Sequence, residues 1–183
     1  MSTVSKVNSK SEIVSALQTI CDELAGKISA MSEESFSEER GAMWSRADYV
    51  KHLILANKPF AKGLTLPHEQ LNQMFGTPDH TPMSYEELVD KYESKLATGV
   101  GAEDNPPVVP VNYRFPDGVT DVKAYLQETL VDANNRIITA LENWTDDALD
   151  QYQLPHPAVG MLTMREMLFF TVHHNRAHSK DLD

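Results

Sequence analysis

TMREMLFFTVHHNRAHSKD, residues 163–181, decides how the chain folds. In it Met164, Met167, Thr171, His174 and His178 recur at steps of three, four, three and four, the spacing of one seam along a helix. The seam predicts a last helix from Thr163 to about Asp181. Its inner face ends in imidazoles instead of aliphatic side chains, whereas MREMLFF reads most simply as core filling.

Working back from that seam, three more segments carry a helical period. Ile13, Leu17, Ile20, Leu24, Ile28 and Met31 predict a first helix over Ser11–Met31. Ser45 is placed to cap a second helix that runs to about Gly63, with Ala47, Val50, Leu53, Ile54, Ala56 and Phe60 on its apolar face and Pro59 kinking or fraying its last turns. Val122, Leu126, Leu130, Ala133, Ile137, Leu141 and Trp144, after Thr120-Asp121, form the fourth. Between the second and fourth, Ser84-x-x-Glu87 resembles a capping box opening a shorter helix through Leu96.

The intervening stretches break the pattern. VGAEDNPPVVPVNYRFPDG predicts an irregular Pro/Gly-rich insertion at about 99–118. SEESFSEERG and TDDALDQY read as polar turns, and LPHPAVG as a turn whose Gly160 suits a tight reversal. No run alternates as a half-buried strand does. The expected fold is all-α, a four-helix bundle with short extra helices, in one domain over residues 1–183.

Composition narrows the function. A net charge of −11 is the wrong sign for neutralising phosphates or an anionic membrane, so neither nucleic acid nor membrane is an expected partner, and a small-molecule substrate is. The one cysteine, Cys21, sits beside Ile20 and Leu24 as a buried, inert thiol and cannot form an intrachain disulfide. MSTVSKVNSK lacks the apolar middle of a signal peptide, so a cytoplasmic location is expected. No glycine-rich phosphate loop and no Ser-His-Asp arrangement is legible.

The chemistry lies in the seven histidines. His174 and His178 are four apart, so both rings can aim at one point. The helical HExxH zinc motif uses that spacing, but here Asn175, Arg176 and Ala177 intervene without its glutamate base, which argues against a protease of that type. His52, near the core side of the second helix, can supply a third nitrogen. A lone core histidine is ordinarily a hydrogen-bonded structural residue; a convergent trio shifts the balance to a divalent metal, with zinc, nickel and iron fitting nitrogen ligands about equally. His173 is expected on a flank of the last helix and His156 in a turn, both as candidates for a pocket rim. His68 and His80 fall in the irregular region.

Trp44-Ser45 leading to Lys51-His52-Leu53, together with HPAVGMLTMREMLFFTVHHNRAHSKDL, resembles the DinB/YfiT-like superfamily over most of the chain. Pro157, Gly160, Leu162 and Thr163 match that family's turn before its last helix, while the glutamine that commonly follows its last histidine is replaced by Asp181 or Leu182. The resemblance implies a four-helix bundle with a long crossover connection. It assigns His52, His174 and His178 as metal ligands, and it implies thiol-dependent transfer or isomerisation with a low-molecular-weight thiol, and a homodimer. Three ligands leave a coordination position open for water or thiolate. The expected function is metal-dependent attack on a small electrophile, with hydrolysis of an amide or ester and a non-catalytic stress or interaction bundle as alternatives.

Overall fold

The computed structural model describes residues 7–183. The first six residues of the segment read for a leader lie outside that range. Seven α-helices follow in order: α1 (Lys10–Ala30), α2 (Glu33–Ser37), α3 (Arg46–Gly63), α4 (His68–Phe75), α5 (Tyr85–Leu96), α6 (Val122–Leu141) and α7 (Met164–Asp181). A two-stranded antiparallel hairpin, β1 (Gln153–His156) and β2 (Gly160–Thr163), precedes α7.

The four long helices close a ring: α1 packs on α6 and α7, and α3 packs on the same two, so α1 and α3 sit diagonally. The stripes read from the sequence face inward. Ile13, Leu17, Ile20, Leu24 and Ile28 are buried on α1, and Leu126, Leu130, Ala133, Ile137 and Leu141 on α6. Cys21 is buried and unpaired, as its neighbours implied, and burial pushes its thiol pKa up. On α3 the buried face is Ala47, Val50, His52, Leu53, Ile54, Asn57 and Phe60, and the helix continues through Pro59 to Gly63. Ser9, Ser84 and Thr163 each form a complete capping box with a glutamate three residues on.

The crossover from α3 to α6 is long and partly helical. It holds α4 and α5, then three single 3₁₀ turns at Ala102–Asp104, Pro106–Val108 and Pro110–Asn112. Two expectations need correction here. SEESFSEERG contains the short helix α2, whose Phe36 is fully buried. His68 opens α4 instead of lying in irregular chain, and its ring stacks on Tyr152 at 4.2 Å. α4 buries only Leu71 and starts at Pro67 with no side-chain cap, so no capping residue marks it.

LPHPAVG forms most of a hairpin, with Leu154 opposite Leu162 and His156 opposite Gly160, whose φ of +86° makes the reversal. Four-residue strands are too short to show alternation, and Pro155 is tolerated because the sheet has only two strands. Among the described residues, no helix is long and apolar enough to cross a membrane.

Candidate metal centre

The ring arrangement sets α3 directly against α7, and that contact brings His52, His174 and His178 together. One ring nitrogen from each lies within 4.8 Å of the other two. His52 and His174 are 3% and 4% exposed, while His178 is half-buried. His52 and His174 approach most closely, Nε2 to Nε2 at 2.9 Å. The three rings meet edge to face, with centroids 4.6–5.1 Å apart.

The second nitrogen of each ring decides which atoms face the centre. His52 Nδ1 lies 2.8 Å from the Val108 carbonyl, so it must carry the proton and donate, leaving Nε2 with a lone pair. His178 Nδ1 lies 2.7 Å from Asp181 Oδ2, which fixes the same tautomer. His174 Nδ1 is buried with no partner among the described residues. Burial holds the His52 pKa down to about 4, with His178 adding to the shift and the Val108 carbonyl opposing it. Burial also drives His174 well below its ordinary value, assisted by the neighbouring imidazoles. His52 and His174 are therefore neutral near pH 7.

These outward bonds leave the Nε2 lone pairs of His52 and His178 facing the cluster, where the His52 lone pair is met by the proton that a neutral His174 carries on Nε2 and that a cation would replace. That donor set fits a divalent ion. The outward bonds to a carbonyl and a carboxylate are the partners that metal-bound histidines ordinarily have.

Aromatic rings wall the cluster. Trp44 lies 5.2 Å from His52 and 5.4 Å from Tyr49, which packs 5.3 Å from His178. Phe170, one turn before His174, stacks on it at 4.9 Å. A cleft of about 400 Å³ is lined by Trp44, Arg40, Lys51 and Phe115 among others, and none of the three histidines lines it.

The two rim candidates separate. His156 is buried as the last residue of β1 instead of lying in the turn itself; its Nδ1 accepts from the Ala158 and Val159 amides, and its ring lies 4.2 Å from Phe170. Burial lowers its pKa to about 4, so it is a neutral ring one aromatic away from His174. His173 faces α5 and bonds Glu93 at 2.7 Å, outside the cluster, as its flank position implied. His68 and His80 are also elsewhere, and His80 bonds the buried carboxylate of Glu166.

Sequence reasoning missed three residues. Asp181 was legible as a partner three residues past His178 on the same helix. The Val108 contact is made by a backbone carbonyl and leaves no mark on residue type. Glu166 was visible as the end of a Thr163-x-x-Glu166 capping box, but its partners stand some eighty residues earlier.

A helical bundle with a three-imidazole centre between two of its helices is the class that fold and site define. The sequence profile of the DinB superfamily matches residues 12–181, and the chain belongs to that superfamily. YfiT from Bacillus subtilis, described as "a probable metal-dependent hydrolase with an unusual four-helix bundle topology", shares the fold with a TM-score of 0.53 and 17% identity, covering 94% of this chain and 85% of its own. A comparison with curated proteins finds no match.

Proposed function

We propose that the protein is a metal-dependent enzyme in which His52, His174 and His178 hold a divalent ion, zinc, nickel or iron, through their Nε2 atoms. The observation that carries this reading is the pair of outward hydrogen bonds, His52 to Val108 and His178 to Asp181, which turn lone pairs toward one point. A bound ion supplies a nucleophile at neutral pH by lowering the pKa of a water or a low-molecular-weight thiol.

The chain's own residues supply the rest. Val108 and Asp181 hold two rings in orientation. Trp44, Tyr49 and Phe170 restrict water around the cluster and keep the local dielectric low, which strengthens the field acting on the reacting groups. Three protein ligands leave a coordination position open for a water or a thiol.

Thiol transfer to a small electrophile is the first reading. Hydrolysis of an amide or ester is the second, favoured by the description of YfiT. Elemental analysis of protein purified without chelator should find about one divalent ion per chain, and His174→Ala should lose it while remaining folded. The parent free of metal under all loading conditions would sink the proposal. Consumption of a thiol together with a small electrophile, set against cleavage of simple esters, then separates the two chemistries.

A further inference from the structure

The end of α7 carries an electrostatic problem. Asp181 is its last residue, and a carboxylate there faces the negative end of the helix and the carbonyls left without intrahelical partners. Yet this carboxylate is the one that bonds His178 Nδ1. Left alone, the last turn would fray and carry Asp181 away from the ring.

Three cations from other elements bond the carbonyls of the last turn and of the two residues that follow it. Lys27 of α1 donates to the Ser179 carbonyl at 2.7 Å and pairs with the Asp183 carboxylate at 2.7 Å. Arg46, at the first turn of α3, donates from Nε to the Leu182 carbonyl at 3.2 Å and from Nη2 to the Asp183 carbonyl at 2.9 Å. Arg40, in the turn between α2 and α3, donates from Nη1 to the Asp181 carbonyl at 2.6 Å. Of the three, Arg40 alone bonds the residue whose side chain touches His178. Tyr49, packed on His178, feels both charges: burial raises its pKa first, Asp181 adds to the shift and Arg40 opposes it.

The same turn reaches the other side of the cluster. Arg40 pairs with Met43 in an isolated bridge, Gly41 between them has a φ of +67°, and the chain then delivers Trp44 against His52. One short segment thus touches the surroundings of two of the three histidines.

We infer that Arg40 is a positioning residue for His178: by holding the Asp181 main chain it keeps the Asp181 carboxylate on Nδ1 and the Nε2 lone pair facing His52 and His174. The inference rests on the metal reading above for its consequence, but its first readout does not need an ion. In metal-free protein, ¹⁵N NMR of the His178 ring should show the proton on Nδ1 in the parent. Arg40→Gln should give a mixture of tautomers, and Arg40→Lys, which keeps a cation in the turn, should restore most of the parent signal.

Chelator competition with zinc should then show Arg40→Gln weakened about tenfold and Asp181→Asn at least as much, the range seen when outer partners of metal ligands are removed. Added to Asp181→Asn, Arg40→Gln should cost less than about twofold more, because both act through one carboxylate. A parent-like tautomer in Arg40→Gln overturns the inference, and so does a full additional loss in the Asp181→Asn background. A parent that binds no zinc overturns the proposed function instead, and the tautomer measurement still decides the role of Arg40.

Discussion

The two ends of α7 bury polar side chains at similar depth and treat them in opposite ways. In the first turn Glu166 is fully buried, and its oxygens accept from the Thr163 amide at 2.7 Å, the Met83 amide at 2.8 Å and His80 Nε2 at 3.0–3.1 Å. Every donor it needs comes from the chain. Toward the other end the buried Nδ1 of His174 finds no partner among the described residues, and its Nε2 meets that of His52 on α3 at 2.9 Å. Burial of a polar group alone therefore says little about role. A closed set of partners marks a structural device, and an unmet set of acceptors marks a site.

This contrast can be broken at either end. The largest effect is expected from Glu166→Ala, which strips the buried Thr163 amide, the part-buried Met83 amide and His80 of their acceptor and releases the loop before α5 from the start of α7. A loss of about 3 kcal/mol or more is expected, or roughly 6–12 °C in Tm for a chain of this size. Calorimetry of the chelated protein checks this, and a change under about 1 kcal/mol would mean that the acceptor is dispensable.

A smaller effect separates the histidine end. Unfolded imidazoles titrate near pH 6.5, whereas His52 and His156 are held to about 4 in the fold. Between those values the unfolded chain binds protons that the folded chain refuses, so the stability of chelated protein should fall as pH drops from about 6.5 toward 4 and level off below. His156→Gln removes one such group. Urea midpoints across that window should therefore fall less steeply in the variant, by on the order of 1–2 kcal/mol in total. Parallel curves for parent and variant would show that His156 is not held neutral.

The smallest effect belongs to His173, which shares α7 with both clusters but leans outward to a half-exposed Glu93. His173→Gln should change stability by less than about 0.5 kcal/mol. It should also leave zinc affinity at the parent value in chelator competition, and a severalfold weakening would place His173 inside the centre.

What could be read in advance follows the range of the forces. The stripes of α1, α3, α6 and α7 and the Ser84 cap are local patterns, set by which side chains face inward within a few turns, and they are legible from residue types alone. The convergence of the three histidines could be read because each stands on such a stripe. The helices α2 and α4 and the hairpin could not: α4 commits a single buried leucine, and β1 is four residues interrupted by Pro155. Glu166 shows the limit most clearly. Its capping box is local and visible, while its burial depends on His80 and Met83, which the crossover returns to it from a distant part of the chain.

The bond from His52 to Val108 gives the long connection between α5 and α6 a duty that its irregular trace conceals. A main-chain oxygen makes the contact, so the identity of residue 108 matters little to it. The spacing does matter: inserting or deleting a residue between Leu96 and Val122 would present a different oxygen, or none, to the imidazole. That connection should tolerate exchange of its letters far better than change in their number.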